Sequence, residues 1–109
     1  MKIQTRTHHN IDILELNGRF DAYEEPQVRR WLEQSVSARK VINLAGVNFI
    51  DSTALSTLVQ GLKQCRQQDG NLHLCNLQQP TRIIFELTRL DRAFEIFPDE
   101  ANAIAAFAN

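Results

Sequence analysis

Residues 41–55 constrain the fold more than any other part of the chain. In this segment an apolar strand is followed by a short loop and then by the start of an amphipathic helix. The run Val41-Ile-Asn-Leu44 is apolar and rich in β-branched residues, which is typical of a central strand. After Asp51, apolar side chains recur at helical spacing, at Leu55, Leu58, Val59, Leu62 and Cys65 or Arg66. A strand that passes directly into a helix is typical of α/β domains, so we expect that fold class.

The first third of the chain predicts a hairpin followed by a helix. Two alternating stretches, residues 3–7 and 11–16, flank the polar turn His8-His9-Asn10, and Gly18 ends the second stretch. Residues 24–36 then predict a helix, with Pro26 in its first turn. Its expected apolar face consists of Val28, Trp31, Leu32 and Val36, with Trp31 as a core anchor.

The second half of the chain continues the alternation of strands and helices. Gly70 is placed to supply a left-handed helix cap before an alternating strand over residues 72–77. Pro80 opens a third helix, residues 94–97 predict a short strand, and Pro98 opens a last helix. The inward residues of these two helices are predicted to be Ile83, Ile84, Leu87 and Leu90 in the third, and Ala101, Ile104, Ala105 and Ala108 in the last.

These elements predict one small α/β domain over residues 1–109, with a mixed sheet of four or five strands flanked by about four helices. The composition, with 43% hydrophobic and 23% charged residues, is ordinary for a globular protein, and the net charge of −1 gives no general attraction to nucleic acid. No apolar run approaches the roughly 20 residues of a membrane span, and no signal peptide is evident. We therefore expect no membrane insertion and a cytoplasmic location.

Asp51-Ser52-Thr53 is the most informative candidate site, because it places a hydroxyl at the N-terminus of the second predicted helix. The unpaired N–H groups of a first helical turn and the positive end of the helix dipole both favour an anion such as a phosphate. Ser52 is therefore suited to be a covalent switch. The same residue types are also the usual N-caps, and on the tripeptide alone helix capping is the stronger interpretation.

The cysteines and the paired histidines fit structural roles. Cys65 and Cys75 lie ten positions apart without a second pair, so we interpret both as small core residues rather than as a disulfide or zinc ligands. His8 and His9 should point to opposite sides of an extended chain, which is poor geometry for one metal ion. We interpret them as solvated turn residues.

Catalysis and nucleic-acid binding are both disfavoured. A hydrolase triad of Ser52, His73 and Asp51 would lack the Gly-x-Ser-x-Gly elbow of such enzymes, and the chain has no phosphate-binding loop or kinase signature. The basic pairs Arg29-Arg30 and Arg39-Lys40 are offset by acidic neighbours, as on a solvated helix face. We therefore expect neither enzyme activity nor a nucleic-acid partner.

The order of elements and the run Asp51-Ser-Thr-Ala-Leu55 together resemble the STAS domains of bacterial anti-sigma factor antagonists, over nearly the whole chain. Leu16-Asn-Gly-Arg-Phe-Asp21 resembles the family's Gly-x-x-Asp turn, and Phe94-Glu-Ile-Phe97 followed by a helix resembles its C-terminal end. Ala54 stands where the family often has Gly, a change between small residues that should preserve the helix start.

The resemblance implies a protein substrate that switches partners. In the family, the serine after this aspartate is phosphorylated by an anti-sigma factor that is also a serine kinase, which implies phosphorylation at Ser52, with Thr53 as the alternative. The unmodified form would bind the kinase and free its sigma factor or other client, and the phosphorylated form would dissociate. A serine phosphatase would be the third partner. ATP and Mg²⁺ would be bound by the kinase, so no cofactor or metal is expected on this chain.

The expected partner surface surrounds Ser52 and Thr53. Asp51 would position the hydroxyl or contact the kinase, and Asp21 would serve partner recognition. A role for Asp21 as the N-cap or turn former before the first helix is equally compatible with the sequence. Helical spacing adds Ser56, Gln60 and Lys63. The alternative function is a constitutive STAS scaffold subunit of a transport or signalling complex that works without phosphorylation.

Overall fold

The protein forms one five-stranded mixed sheet with four helices. The structure is a computed structural model and describes residues 1–108. The strands are β1 (Lys2–His8), β2 (Ile11–Asn17), β3 (Arg39–Gly46), β4 (Asn71–Cys75) and β5 (Glu95–Phe97). The helices are α1 (Glu25–Gln34), α2 (Ser52–Gln67), α3 (Gln79–Leu87) and α4 (Glu100–Ala105), with a 3-10 turn at Leu90–Arg92. The predicted α/β fold is confirmed.

The strands lie in the sheet in the order in which they occur in the sequence. β1 and β2 pair antiparallel, and every other neighbouring pair is parallel. His9 and Asn10 have φ angles of 48° and 65°, so a two-residue turn closes the predicted hairpin. Because β2 and β3 run parallel side by side, the loop after each of them emerges at the same edge of the sheet. These two loops carry Asp21 and Asp51.

Two apolar clusters occupy opposite faces of the sheet, because successive residues of a strand point to opposite sides. Ile42 belongs to the larger cluster, which lies under α1, α2 and α3, whereas Val41 belongs to the smaller cluster under α4. Cys65 and Cys75 are buried and free, one in each cluster, as the sequence predicted. The sheet is therefore covered by helices on both faces.

The predicted apolar face of α1 is wrong at its C-terminal end. The helix ends at Gln34, and Val36 lies beyond it with 94% of its surface exposed. The chain leaves the helix at Ser35 because Asp12 draws the next residues toward β2, accepting hydrogen bonds from the Ser35 hydroxyl and from the Ser37 N–H. Trp31 packs at the margin of the core, where it is half-buried.

In α3 and α4, the residues that face the core differ from those predicted. In α3 the fully buried residues are Thr81 and Phe85, whereas Ile83 and Leu87 are 42% and 79% exposed. Phe85 meets Phe94 edge to face, with ring centroids 5.8 Å apart, and this large aromatic contact sets the rotation of the helix. In α4 only Ala103 is fully buried, and the alanines predicted to face inward are exposed, namely Ala101, Ala105 and Ala108.

The turn after α2 uses a different residue from the one predicted. Asp69, not Gly70, adopts the left-handed conformation, with φ at 62°. Gly70 is required for space, because a Cβ atom there would lie 1.9 Å from the carbonyl oxygen of Ala38. That same oxygen accepts a hydrogen bond from the Asn71 N–H at 3.0 Å, where β4 begins beside β3.

His73 fastens α4 to the sheet. Its Nδ1 lies 2.8 Å from the carbonyl oxygen of Ala103, to which the neutral ring donates, and the ring stacks on Phe107 with centroids 3.8 Å apart. Burial lowers the pKa of His73 below its usual range, against the smaller opposing effects of the Ala103 hydrogen bond and the charge of Glu95.

We therefore expect the free energy of unfolding to fall as the pH drops from about 7 to about 5.5. An unfolded His73 binds a proton near its ordinary pKa of about 6.5, which the folded protein resists, so acid favours the unfolded state. Replacing His73 by Gln should flatten this part of the stability profile. Urea denaturation of both proteins across that pH range measures the effect, and parallel profiles would contradict it.

Candidate functional site

The start of α2 is built by Asp51. The residue is extended, with φ at −106° and ψ at 179°, and its Oδ1 accepts a hydrogen bond from the Ala54 N–H at 2.9 Å. Its carbonyl oxygen accepts from the Leu55 N–H at 3.0 Å. Asp51 is thus the N-cap of α2, and Ser52 is the first residue of the 16-residue helix. The capping interpretation of this residue is confirmed.

Asp51 also joins two loops. Its Oδ2 accepts a hydrogen bond from the Ala22 N–H at 2.8 Å, and its own N–H donates to the carbonyl oxygen of Phe20 at 3.3 Å. Phe20 and Ile50 form a parallel bridge beside this contact. The loop after β2 is therefore fixed to the residues that precede Ser52.

Asp21 shapes the turn that leads into α1. The N-cap of that helix is Glu24, so Asp21 is a turn former and the N-cap role for it is wrong. Its Oδ1 accepts from the Glu24 N–H at 3.0 Å, and its Oδ2 lies 3.6 Å from Nε of Arg19. The guanidinium of Arg19 in turn lies over the ring of Phe49, 3.8 Å from its centroid. The structure thus brings Asp21 and Asp51 to one edge of the domain, where each has a structural role, and their roles in partner recognition stay predictions.

The hydroxyls of Ser52 and Thr53 are both exposed at this edge. Ser56 and Gln60 follow at intervals of four residues from Ser52, so the three side chains lie along one side of α2, and all are exposed. Lys63 is exposed as well, one turn further on. The structure therefore places these five residues on one solvent-facing stretch of α2, and their contact with a partner stays a prediction.

A groove of about 360 Å³ separates the exposed side of α2 from α1, and Thr53 lines it. Glu25 lies buried at its base, where its carboxylate accepts a hydrogen bond from the Thr57 hydroxyl and lies 3.6 Å from Nη1 of Arg29. Glu25 is absent from the residues that the sequence predicts for the site. Its position in the first turn of α1, beside Pro26, gave no signal that it would bond across to α2.

Tyr23 is also absent from the residues that the sequence predicts for this edge of the domain. It lies between Ala22 and Glu24 in the turn before α1, and 88% of its surface is exposed. A single aromatic residue among polar turn residues was the available signal. Its surroundings became evident only with the contact between Asp51 and Ala22, which joins residues 29 positions apart.

The remaining reactive side chains have structural surroundings. His73 is engaged by Ala103 and Phe107 under α4. The rings of His8 and His9 are exposed but meet edge to face at 4.3 Å, rather than pointing apart as predicted, because the left-handed backbone of the turn breaks the strand alternation. Within residues 1–108, no group of three or more His, Cys, Asp or Glu side chains is arranged to hold a metal ion.

None of the helices in the described part of the chain is both long enough and apolar enough to cross a membrane.

Known proteins and one protein family are similar to this protein over most of its chain. The STAS domain model matches residues 2–103. An anti-sigma-B factor antagonist of Listeria monocytogenes is 34% identical over 101 residues, which cover 88% of this chain and 86% of that protein. An anti-sigma factor antagonist from Mycobacterium paratuberculosis superposes with a TM-score of 0.89 at 22% identity, covering 99% of this chain and 94% of the other. The Bacillus protein SpoIIAA in its phosphorylated form superposes with a TM-score of 0.74 at 18% identity, covering 97% and 99%. The protein therefore belongs to the STAS domain family.

Proposed function

We propose that the protein is an anti-sigma factor antagonist that binds an anti-sigma factor serine kinase and releases it when Ser52 is phosphorylated. The exposed hydroxyl of Ser52 in the first turn of α2 carries this proposal. The similarity to a protein named as an anti-sigma-B factor antagonist supports the class of partner. The displaced client would be a sigma factor or another protein held by the kinase.

The fold is suited to carry a phosphate at Ser52. Asp51 already accepts from the N–H groups of Ala54 and Leu55, whereas the N–H groups of Ser52 and Thr53 belong to the part of a helix that has no intrahelical acceptors. A phosphate there gains from these donors and from the helix dipole, and the adjacent Asp51 carboxylate opposes it. We therefore expect modification to leave the domain folded.

The same phosphate would weaken binding to the kinase. It adds about −1.5 to −2 charges and three acceptor oxygens on a surface where the partner had accepted a neutral hydroxyl. Desolvation and like-charge repulsion across an interface cost several kcal/mol, and about 1.4 kcal/mol is tenfold in affinity. A serine phosphatase would restore the binding form. ATP and Mg²⁺ belong to the kinase in this scheme.

Intact-mass spectrometry tests the modification site. The protein is incubated with Mg-ATP and each candidate anti-sigma factor kinase from its source, alongside Ser52→Ala, Thr53→Ala and Ser56→Ala variants. We expect one added phosphate on the wild-type protein and on the Thr53→Ala and Ser56→Ala variants, and none on Ser52→Ala. Ser56→Ala is the matched control, since it removes an exposed hydroxyl one turn along the same side of α2.

Two other results would contradict the proposal. A phosphate that persists on Ser52→Ala but disappears from Thr53→Ala would assign the site to Thr53. No phosphate from any kinase would favour the constitutive scaffold, in which the exposed side of α2 binds a partner without modification.

A further inference from the structure

Tyr23 is the most exposed aromatic residue on the edge of the domain that carries Ser52. Its exposed fraction is 88%, which leaves almost the whole ring in water. An exposed ring of this size gains little from the domain's own packing, and tyrosine is enriched among the residues that contribute most to protein interfaces. The ring is therefore free to bind a partner without unfolding any part of the core.

The backbone on both sides of Tyr23 is held in place. Ala22 donates its N–H to Oδ2 of Asp51 at 2.8 Å. Glu24 donates its N–H to Oδ1 of Asp21 at 3.0 Å, and its carboxylate lies 3.1 Å from the amino group of Met1. A side chain on such an ordered turn loses less conformational freedom on binding than one on a mobile loop.

The turn is also continuous with the switch segment. The carboxylate of Asp51 holds Ala22 with one oxygen and the first turn of α2 with the other. The turn of Tyr23 therefore lies beside the first turn of α2, at the edge that carries Ser52. This continuity distinguishes Tyr23 from Val36, which is 94% exposed but lies at the opposite end of α1.

We propose that Tyr23 is an anchor residue that inserts its ring into an apolar pocket of the anti-sigma factor kinase, beside the surface that receives Ser52. This inference rests on the proposed function and adds a contact from outside α2. The aromatic ring provides the contact area, and the phenol oxygen stays at the rim of the pocket, where water or a partner group can reach it. Asp51 acts as a positioning residue, since it fixes the turn that presents the ring.

Isothermal titration calorimetry tests the anchor. The kinase is the one that phosphorylates the protein in the mass assay, and ADP replaces ATP so that Ser52 stays unmodified. We expect Tyr23→Ala to weaken binding by at least about tenfold. Tyr23→Phe, which retains the ring, should bind the kinase with an affinity within about threefold of that of the wild-type protein. Val36→Ala is the matched control and should bind equally well. Circular dichroism melting should show all three variants folded.

The outcomes separate this inference from the proposed function. If the kinase binds and phosphorylates the wild-type protein but Tyr23→Ala binds equally well, the anchor role of Tyr23 is wrong. The proposed phosphorylation switch is then unaffected. An equal loss in Tyr23→Phe and Tyr23→Ala would also overturn the apolar pocket. If no candidate kinase binds or phosphorylates the wild-type protein, the proposed function is wrong, and the anchor role of Tyr23 is wrong as well.

Discussion

Replacing Ser52 by Asp should weaken binding to the kinase by at least about tenfold, and full phosphorylation should weaken it by about 100-fold or more. The expected cause is charge placed at a desolvated contact, for which like-charge costs of several kcal/mol are typical. A factor of 100 corresponds to about 2.8 kcal/mol. Calorimetric titration of the kinase with each form, in the presence of ADP, measures both effects.

Ser52→Asn is the matched control for that variant, because Asn has the size of Asp without its charge. We expect Ser52→Asn to bind much more tightly than Ser52→Asp, and Ser52→Ala to bind and to resist release by ATP. Equal affinities of the Asn and Asp variants would show that size rather than charge ends the complex. Melting temperatures should not fall in Ser52→Asp, since an acidic residue in a first helical turn is tolerated or favourable.

Replacing Gly70 by Ala should destabilise the protein by about 3 kcal/mol, at the upper end of the usual cost of inserting a methyl group into packed structure. The new Cβ would lie 1.9 Å from the Ala38 carbonyl oxygen, which is backbone and cannot rotate away. Relief requires a shift of the chain where β4 begins, at the Asn71 hydrogen bond to Ala38. A change of this size lowers the melting temperature of a small domain by about 10–20 °C.

Gly61→Ala provides the comparison within the same protein. A Cβ at Gly61 would approach the side-chain tip of Leu32 at 2.8 Å, and that tip can adjust. Ala also favours a helix interior over Gly by about 1 kcal/mol. Differential scanning calorimetry should therefore show a much smaller loss for Gly61→Ala than for Gly70→Ala. Similar losses in the two variants would contradict the role given to the Ala38 carbonyl.

Local patterns predicted the elements that have one dominant signal. The start of α2 follows from Asp51 at its N-cap, and the apolar spacing after it correctly predicted which side of α2 is buried. Helices with apolar residues on several sides were harder. Ile83, Phe85 and Leu87 all compete for the core side of α3, and the contact of Phe85 with Phe94 decides between them. That contact is tertiary and leaves no periodic trace in the sequence.

The candidate site divides in the same way. The exposed positions of Ser52, Ser56 and Gln60 follow from helical spacing alone. The contact of Asp51 with Ala22 could not be predicted, because it depends on the parallel pairing of two strands far apart in the sequence. Without that contact Tyr23 has no evident relation to Ser52.

The two buried cysteines make the protein suitable for selective chemical labelling. Burial raises the pKa of the Cys75 thiol to about 12, and burial also raises the pKa of Cys65. The thiolate is the nucleophile that attacks a maleimide, so both native cysteines should react slowly with maleimides at neutral pH while the protein is folded. A new cysteine on the exposed side of α2, for example Gln60→Cys, would then carry a single fluorophore. Such a label would report arrival and departure of a partner in real time.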